Sequence, residues 1–408
     1  MGNGARRALL FCMPEHGHLK RLLPLVAELA QRAIEVHAFV DARYAGDVVA
    51  QGAVFHDLFR NRPLAEADAD SRPVPCRYVS FAAHFAGSLI DETAALGADL
   101  VIHDAFAVIG VPVAERLGLP RIHICAGHNL APAPTLAALH EDPRVQLSDA
   151  CLRAVDILRT RYGMPGASPF SYIDCLSAEL NLICEPPEFL TAQERSAFEP
   201  CAFFGSLPVP RRQPPVREAW AGRAGPGRTE TLRIYASLGT VVWRYYSDYA
   251  RSVLAALAAA LAVRPELEAI VGLGGHGAAA AALGKARPAL RVEPYVDQWS
   301  VLAGADLFLT HHGLNSSHEA IWHGVPMLSC PVFSDQPGLA LRCQELGLAL
   351  PLVHAPRDPV TKDSILDTLA RLDTDRPRLA ERLALARQWE LDVMAARPRV
   401  IDRIASFM

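Results

Sequence analysis

The chain has 408 residues, 51% of them hydrophobic and 21% charged, which describes a globular protein long enough for two or three domains and excludes a disordered one. Lys and Arg number 40 against 44 Asp and Glu, a formal net charge of −4, so there is no whole-molecule positive field of the kind that holds nucleic acid. An anionic ligand must be bound by local structure.

The opening segment, MGNGARRALLFCMPEHGH, carries Arg6 and Arg7 but an apolar run too short for a signal-peptide core, so the protein is expected to remain in the cytoplasm. Ala8 to Met13 reads as a strand, followed by a Gly/His loop and a helix with Leu22, Leu25, Val26, Leu29 and Ala30 on its apolar face. Val36 to Val40, Leu100 to Ile102 and Arg121 to Cys125 are further β-rich runs, with a helical pattern from Val108 to Leu117. Regions 60–90 and 128–180 show no clear period and are expected to hold acceptor-side loops and helices. From Ser206 to Glu230 the proline- and glycine-rich stretch SLPVPRRQPPVREAWAGRAGPGRTE reads as a linker. The pattern then restarts: LRIYASLG is a strand and turn, Asp248 to Val263 a helix, Leu267 to Leu273 and Leu307 to Thr310 strands, and Asn315 to Trp322 the start of a helix. Val253 to Val263, the longest apolar stretch, is about half the length of a membrane helix, so no span is expected. The nine cysteines show no CxxC pair and no zinc-ligand spacing, and are expected to be reduced and buried.

Alternating strands and helices in both halves imply two α/β domains, each a doubly wound parallel sheet, with boundaries at 1–205 and 231–385 and a final helix, 386–408, returning to the N-terminal domain. Ligands of such sheets sit off the carboxyl ends of the strands, so two facing domains would line a cleft with the loops that follow their strands.

The densest chemistry lies from Tyr295 to Gln336, YVDQWSVLAGADLFLTHHGLNSSHEAIWHGVPMLSCPVFSDQ. The strand ending at Thr310 delivers His311, His312 and Gly313 to a helix start near Asn315 and Ser316, where backbone N–H groups and the helix dipole make an anion site suited to a diphosphate. His311 adds a donor there, Glu319 is one turn into the helix and placed for a ribose diol, and Asp335 with Gln336 offers groups that read sugar hydroxyls. GLGGHG at 272–277 follows a strand, but its spacing is not that of a dinucleotide fingerprint, and no strand-end acid follows to hold a ribose; it is expected to be a flexible loop beside the donor site. In the N-terminal half, activating a hydroxyl requires a base, and PEHGH after the first strand offers His16 and His18. Asp104 follows the strand Leu100 to Ile102 and is the candidate carboxylate to orient the base; a helix cap or turn is its alternative role.

The 295–336 segment resembles the donor-binding signature of family 1 glycosyltransferases, the group of plant secondary-metabolite and bacterial macrolide or antibiotic enzymes. H-x-G-x-N-S-x-x-E stands as His311, Gly313, Asn315, Ser316 and Glu319, G-V-P-M at 324–327, and the closing D/E-Q as Asp335 and Gln336. The resemblance implies the GT-B architecture of two facing Rossmann-like domains, with His311, Asn315 and Ser316 on the diphosphate, Glu319 on the ribose, and Asp335 and Gln336 on the sugar. It further implies that Tyr295 and Val296 lie at the base, Gln298 near the ribose, and Ser237 and Thr240 of YASLGT at the phosphates. Asp297 replaces the family's usual Pro, and the short Tyr295–His311 spacing points to the bacterial branch. G-H-x-x-x-L-L matches Gly17, His18, Leu22 and Leu23 and selects His18 over His16 as the base, with Asp104 its partner. Arg21 stands where a Pro is common, and the Lys20–Arg21 pair is expected to face solvent or to touch the acceptor. The reading is an inverting, metal-independent transferase using a nucleotide diphosphate sugar, UDP favoured and dTDP the alternative, and a small hydroxyl acceptor, with no cofactor, no metal and no nucleic acid. A homodimer is compatible with the sequence. A non-catalytic binding partner of the same fold and a nucleotide-sugar epimerase are the rival readings, separable by product mass.

Overall fold

The computed structural model describes residues 6–65, 71, 74–208, 220, 231–277 and 289–408. The stretch expected as a linker lies outside the described residues except at 206–208 and Trp220, whose indole Nε1 donates to the Val301 carbonyl at 3.0 Å. The chain divides into two compact units, Met1–Val209 with Asp392–Met408, and Pro210–Leu391.

The first unit runs β1 (Arg7–Phe11), α1 (His16–Gln31), β2 (Glu35–Val40), α2 (Ala45–Ala50), β3 (Val54–Asp57), α3 (Arg77–Ala94), β4 (Leu100–Asp104), α4 (Gly110–Leu117), β5 (Arg121–Cys125), α5 (Pro132–Glu141), α6 (Asp149–Arg161), α7 (Ser171–Asp174), β6 (Leu180–Ile183), α8 (Ala192–Ser196) and β7 (Cys201–Phe203). Its strands form one parallel sheet in the order β3-β2-β1-β4-β5-β6-β7. Strands this apolar, such as ALLF of β1 with every residue buried, are what a sheet covered on both faces demands. Leu9, Phe11 and Val101 of the sheet share a core with Tyr78, Val79, Ala82 and Leu89 of α3 and Leu158 of α6. Thus much of the region whose sequence showed no period is helical and builds the core.

The second unit repeats the plan with β8 (Leu232–Ser237), α9 (Val241–Tyr245), α10 (Ser247–Val263), β9 (Leu267–Gly272), β10 (Leu290–Glu293), α11 (Gln298–Leu302), β11 (Leu307–Thr310), α12 (Leu314–His323), β12 (Met327–Ser329), α13 (Gln336–Glu345), β13 (Ala349–Pro351) and α14 (Lys362–Ala405). Its parallel sheet has the order β10-β9-β8-β11-β12-β13, the same winding as in the first unit. In each sheet the order reverses once, between β1 and β4 and between β8 and β11, and loops leaving strands on either side of such a reversal frame the crevice where ligands bind.

The end of α14 belongs to the first unit, where Arg397 is wholly buried. Its Nε and Nη2 donate to the Phe204 and Leu207 carbonyls at 2.9 and 2.6 Å, and its guanidinium lies 4.6 Å from the Phe204 ring centroid. Arg397→Ala strips two buried carbonyls of their donors and leaves a cavity, so it should cost about 2–4 kcal/mol. Thermal unfolding followed by circular dichroism checks this; an unchanged midpoint would contradict the staple.

Candidate active site

At the first reversal, Glu15 is extended and its carbonyl accepts from the His18 and Leu19 N–H groups, so α1 begins at His16 and the segment expected as a loop is its first turn. That turn aims His18 across to the end of β4. His18 Nδ1 lies 2.8 and 2.9 Å from the two oxygens of Asp104, whose side chain is fully buried. The Phe106 N–H donates to the same carboxylate at 3.0 Å. Burial pushes the Asp104 pKa up, but the His18 charge and hydrogen bond, the Arg21 charge and the Phe106 N–H outweigh it, and the net shift is downward. The carboxylate therefore stays ionised and fixes the imidazole with Nδ1 as donor, leaving Nε2 to accept a proton. His16 instead packs near Tyr44, 6.2 Å between ring centroids.

A layer behind this pair was not apparent in the sequence. The Phe106 ring stacks on His18 at 4.3 Å, and Tyr78 stacks on Phe106 at 4.8 Å. The Tyr78 hydroxyl donates to Glu15 at 2.7 Å, and Arg77 pairs with the same carboxylate oxygen at 2.7 Å, all three side chains buried. The imidazole is thus fixed at one edge by a carboxylate and on one face by a ring whose support is a buried ion pair. Arg21 corrects an expectation: it does not face solvent, being only 6% exposed. A second buried pair, His128 with both Glu185 oxygens at 3.0 Å, joins the loops after β5 and β6.

At the second reversal, His311 leaves β11 and its ring fills a slot between two backbones. A Cβ on Gly239, whose φ is +73°, would lie 2.5 Å from His311 Nε2, and one on Gly313 would lie 2.6 Å from it. A side chain at either place would push the ring out of its slot, and at Gly239 the backbone conformation disfavours one as well. Burial lowers the His311 pKa to about 4, the Ser237 main chain opposing this only in part. Gly313 is the extended N-cap of α12, which starts at Leu314, and Asn315 and Ser316 lie in its first turn. Across from them Gln298 gathers the rest: its Nε2 donates to Glu319 at 2.8 Å and to Ser316 at 3.3 Å, and Tyr235 donates to its Oε1 at 3.4 Å.

Tyr235 was missed by the sequence reading, although the period of two along β8 places it on the same side as Ser237. Ser237 accepts from the Gly239 N–H at 3.3 Å, and Thr240 precedes α9. Val296 lies over Gly272 at the end of β9, while Tyr295 beside it is 62% exposed. Within 272–277, expected as a flexible loop, His276 Nε2 lies 3.2 Å from the Thr240 carbonyl, which ties it to the β8 turn. Asp335 and Gln336 open α13, and Gln336 Oε1 accepts from the Val332 and Phe333 N–H groups at 3.0 and 3.2 Å, which orients its amide. His312, next to His311, is buried at φ +60° with its ring nitrogens 3.1 Å from Ser317 and 2.8 Å from Ser329, so it braces the turn.

Among the described residues no group of three or more His, Cys, Asp or Glu side chains converges to hold a metal ion, and no helix is long and apolar enough to cross a membrane. Residues 191–371 match the family model described as UDP-glucoronosyl and UDP-glucosyl transferase. The zeaxanthin glucosyltransferase of Pseudescherichia vulneris is 31% identical over 330 residues, 76% of this chain and 74% of that protein. The NDP-glycosyltransferase YjiC of Bacillus licheniformis is 23% identical over 401 residues, 93% of this chain and 92% of that one. The solved structure of the kitacinnamycin glycosyltransferase superposes with a TM-score of 0.76 at 24% identity, covering 100% of both chains.

Proposed function

Because the chain belongs to the UDP-glucuronosyl and UDP-glucosyl transferase family, enzymes that move a sugar from a nucleotide sugar to a small-molecule acceptor, we propose that it is an inverting transferase acting on a hydroxyl. What carries this reading is the His18–Asp104 pair, a base with its Nδ1 committed to an ionised carboxylate. His18 Nε2 takes the proton of the acceptor hydroxyl, the oxygen attacks the anomeric carbon in line, and the nucleoside diphosphate leaves as the C–O bond breaks. The charge that builds on the leaving group is met by His311 and by the N–H groups at the start of α12, with Asn315 and Ser316 beside them. Gln298 and Glu319, already hydrogen-bonded to each other, hold the ribose; Tyr295 and Val296 take the base, Ser237 and Thr240 the phosphates, and Asp335 and Gln336 the sugar.

The family name and the glucosyl transfer of one relative favour a UDP-hexose, and Glu319 suits a ribose with both hydroxyls. The acceptor we read as a natural product, and the compartment as the cytoplasm, where the nine free cysteines would stay reduced. A mass-spectrometric competition of UDP-hexoses against dTDP-deoxyhexoses over a panel of phenolic, polyketide and macrolide acceptors tests the reading. A product heavier than the acceptor by one hexose is expected; dTDP-deoxyhexoses winning clearly would overturn the donor assignment, and a change of the sugar without transfer would mark an epimerase. A helix terminus and His311 together supply the charge stabilisation a metal would otherwise give, so EDTA should leave most of the activity. Loss that Mg²⁺ or Mn²⁺ restores would refute this.

A further inference from the structure

Arg21 is a buried cation whose charge helps to hold Asp104 ionised but which forms no ion pair among the described residues. It stands three residues after His18 in α1, so the two side chains share one face of the helix. Its Nε donates to the Gly17 carbonyl at 3.1 Å, its Nη1 is buried without a hydrogen-bond partner, and among the described residues no carboxylate pairs with it. Desolvating a charge in this way is costly; elsewhere in the first unit Arg77 is paired with Glu15, and Arg397 donates to two carbonyls where Arg21 donates to one. The buried carboxylates around Arg21 are all committed to other groups. Glu15 holds Arg77 and Tyr78, Asp104 holds His18, and Glu185 holds His128. Of these, Asp104 is close enough for the Arg21 charge to help keep it ionised.

A role limited to keeping Asp104 ionised does not account for the unpartnered guanidinium nitrogen, because the dyad is complete without it: His18 Nδ1 spans both oxygens and the Phe106 N–H binds one of them. We propose that Arg21 is the counter-ion of an anionic acceptor, so that the molecule glycosylated carries a carboxylate that pairs with this guanidinium while a nearby hydroxyl is presented to His18. This rests on the reading of His18 as the base of a transferase. Side chains three apart on a helix begin about 5–6 Å from each other, which sets the scale of the separation between the carboxylate and the reacting hydroxyl. A planar carboxylate also matches the guanidinium fork in shape, which a single ammonium contact would not.

Matched probes test this: hydroxybenzoic, hydroxyphenylacetic and hydroxycinnamic acids, each beside its methyl ester, titrated calorimetrically into the full-length protein with UDP present. In the wild type at least one acid is expected to bind about tenfold or more tighter than its ester, since a charge-assisted pair is lost in the ester. Arg21→Met should bring the ratio close to one and Arg21→Lys should keep part of it. Because the ratio is taken within each variant, a general loss of stability cancels. Equal or undetectable binding of the acids by the wild type overturns the proposal, as does a ratio that Arg21→Met leaves unchanged or a variant that weakens acid and ester alike. Sugar transfer from UDP-glucose, followed in parallel by mass, separates the two readings: transfer to acids and esters without preference leaves the transferase standing and removes the anionic acceptor, whereas Arg21-dependent binding of acids without transfer from any donor removes the transferase.

Discussion

His18→Ala is expected to lower sugar transfer by about a hundred- to ten-thousand-fold while leaving nucleotide affinity unchanged, the span that general-base help supplies to a hydroxyl nucleophile. The size follows from where the imidazole is held. Nδ1 is 2.8 Å from a carboxylate kept ionised in a buried setting, and Phe106 lies flat against the ring, so Nε2 has one direction in which to work. Asp104→Asn should cost less, because the amide oxygen can still accept from Nδ1 although it no longer stabilises the imidazolium. The carboxylate acts only through the histidine, so the double variant should be little worse than His18→Ala alone. Single-turnover rates and calorimetry with UDP on all three proteins decide the matter. A crippled His16→Ala beside a mild His18→Ala would move the base to the other histidine, against the placement of His16 beside Tyr44. Near-full activity of both single variants would leave an acceptor nucleophile that needs no base.

How much of this was legible in the sequence depends on how local the cause is. The winding of both sheets could be read from β1, β2, β4, β5, β8, β9 and β11, because strands buried on both faces leave largely apolar runs. Strands as short as β7 and β13 have too few residues to show any period, and they form because a neighbouring strand offers its edge. His103 and His123 illustrate the same limit for polar groups. Both lie buried inside strands, and what satisfies His103 is Arg121, eighteen residues on, whose guanidinium donates to its Nε2 at 2.8 Å. Burial pushes both histidines down, His123 to about 3, which holds them neutral, and nothing in LVIHD or RIHIC announces this. The donor signature was legible because spacing fixes it, whereas the Tyr78–Phe106–His18 ladder was not, since its members come from α3, the turn after β4 and α1. Of the two expectations for Arg21, the solvent-facing one fails for a physical reason: a charged residue one turn into a helix is ordinarily solvated, and only the packed structure shows it desolvated.

The other large effect concerns the slot that holds His311. His311→Ala should reduce turnover by about a hundredfold, because one preorganised donor is removed where leaving-group charge develops. Gly239→Ala should do nearly as much without touching the histidine: its Cβ would fall 2.5 Å from Nε2 and its φ of +73° disfavours any side chain, so the ring must leave its place. Both changes remove the same contact, and their combination should be little worse than either. Protonation gives an independent readout. Burial holds the folded pKa at about 4 against an ordinary 6.5, so the ring is neutral at pH 7. As pH falls from 6.5 towards 4 the unfolded chain takes up the proton first, and the folded state loses stability through that window. A diphosphate beside the ring favours the charged form and raises the pKa, so UDP binding near pH 5.5 should draw in a proton at His311 that binding at pH 7.5 does not. Calorimetry in two buffers of different ionisation enthalpy measures that uptake, and the difference between wild type and His311→Ala removes the contribution of the nucleotide itself. Identical proton uptake by the two proteins, together with unchanged UDP affinity and turnover, would take His311 away from the diphosphate.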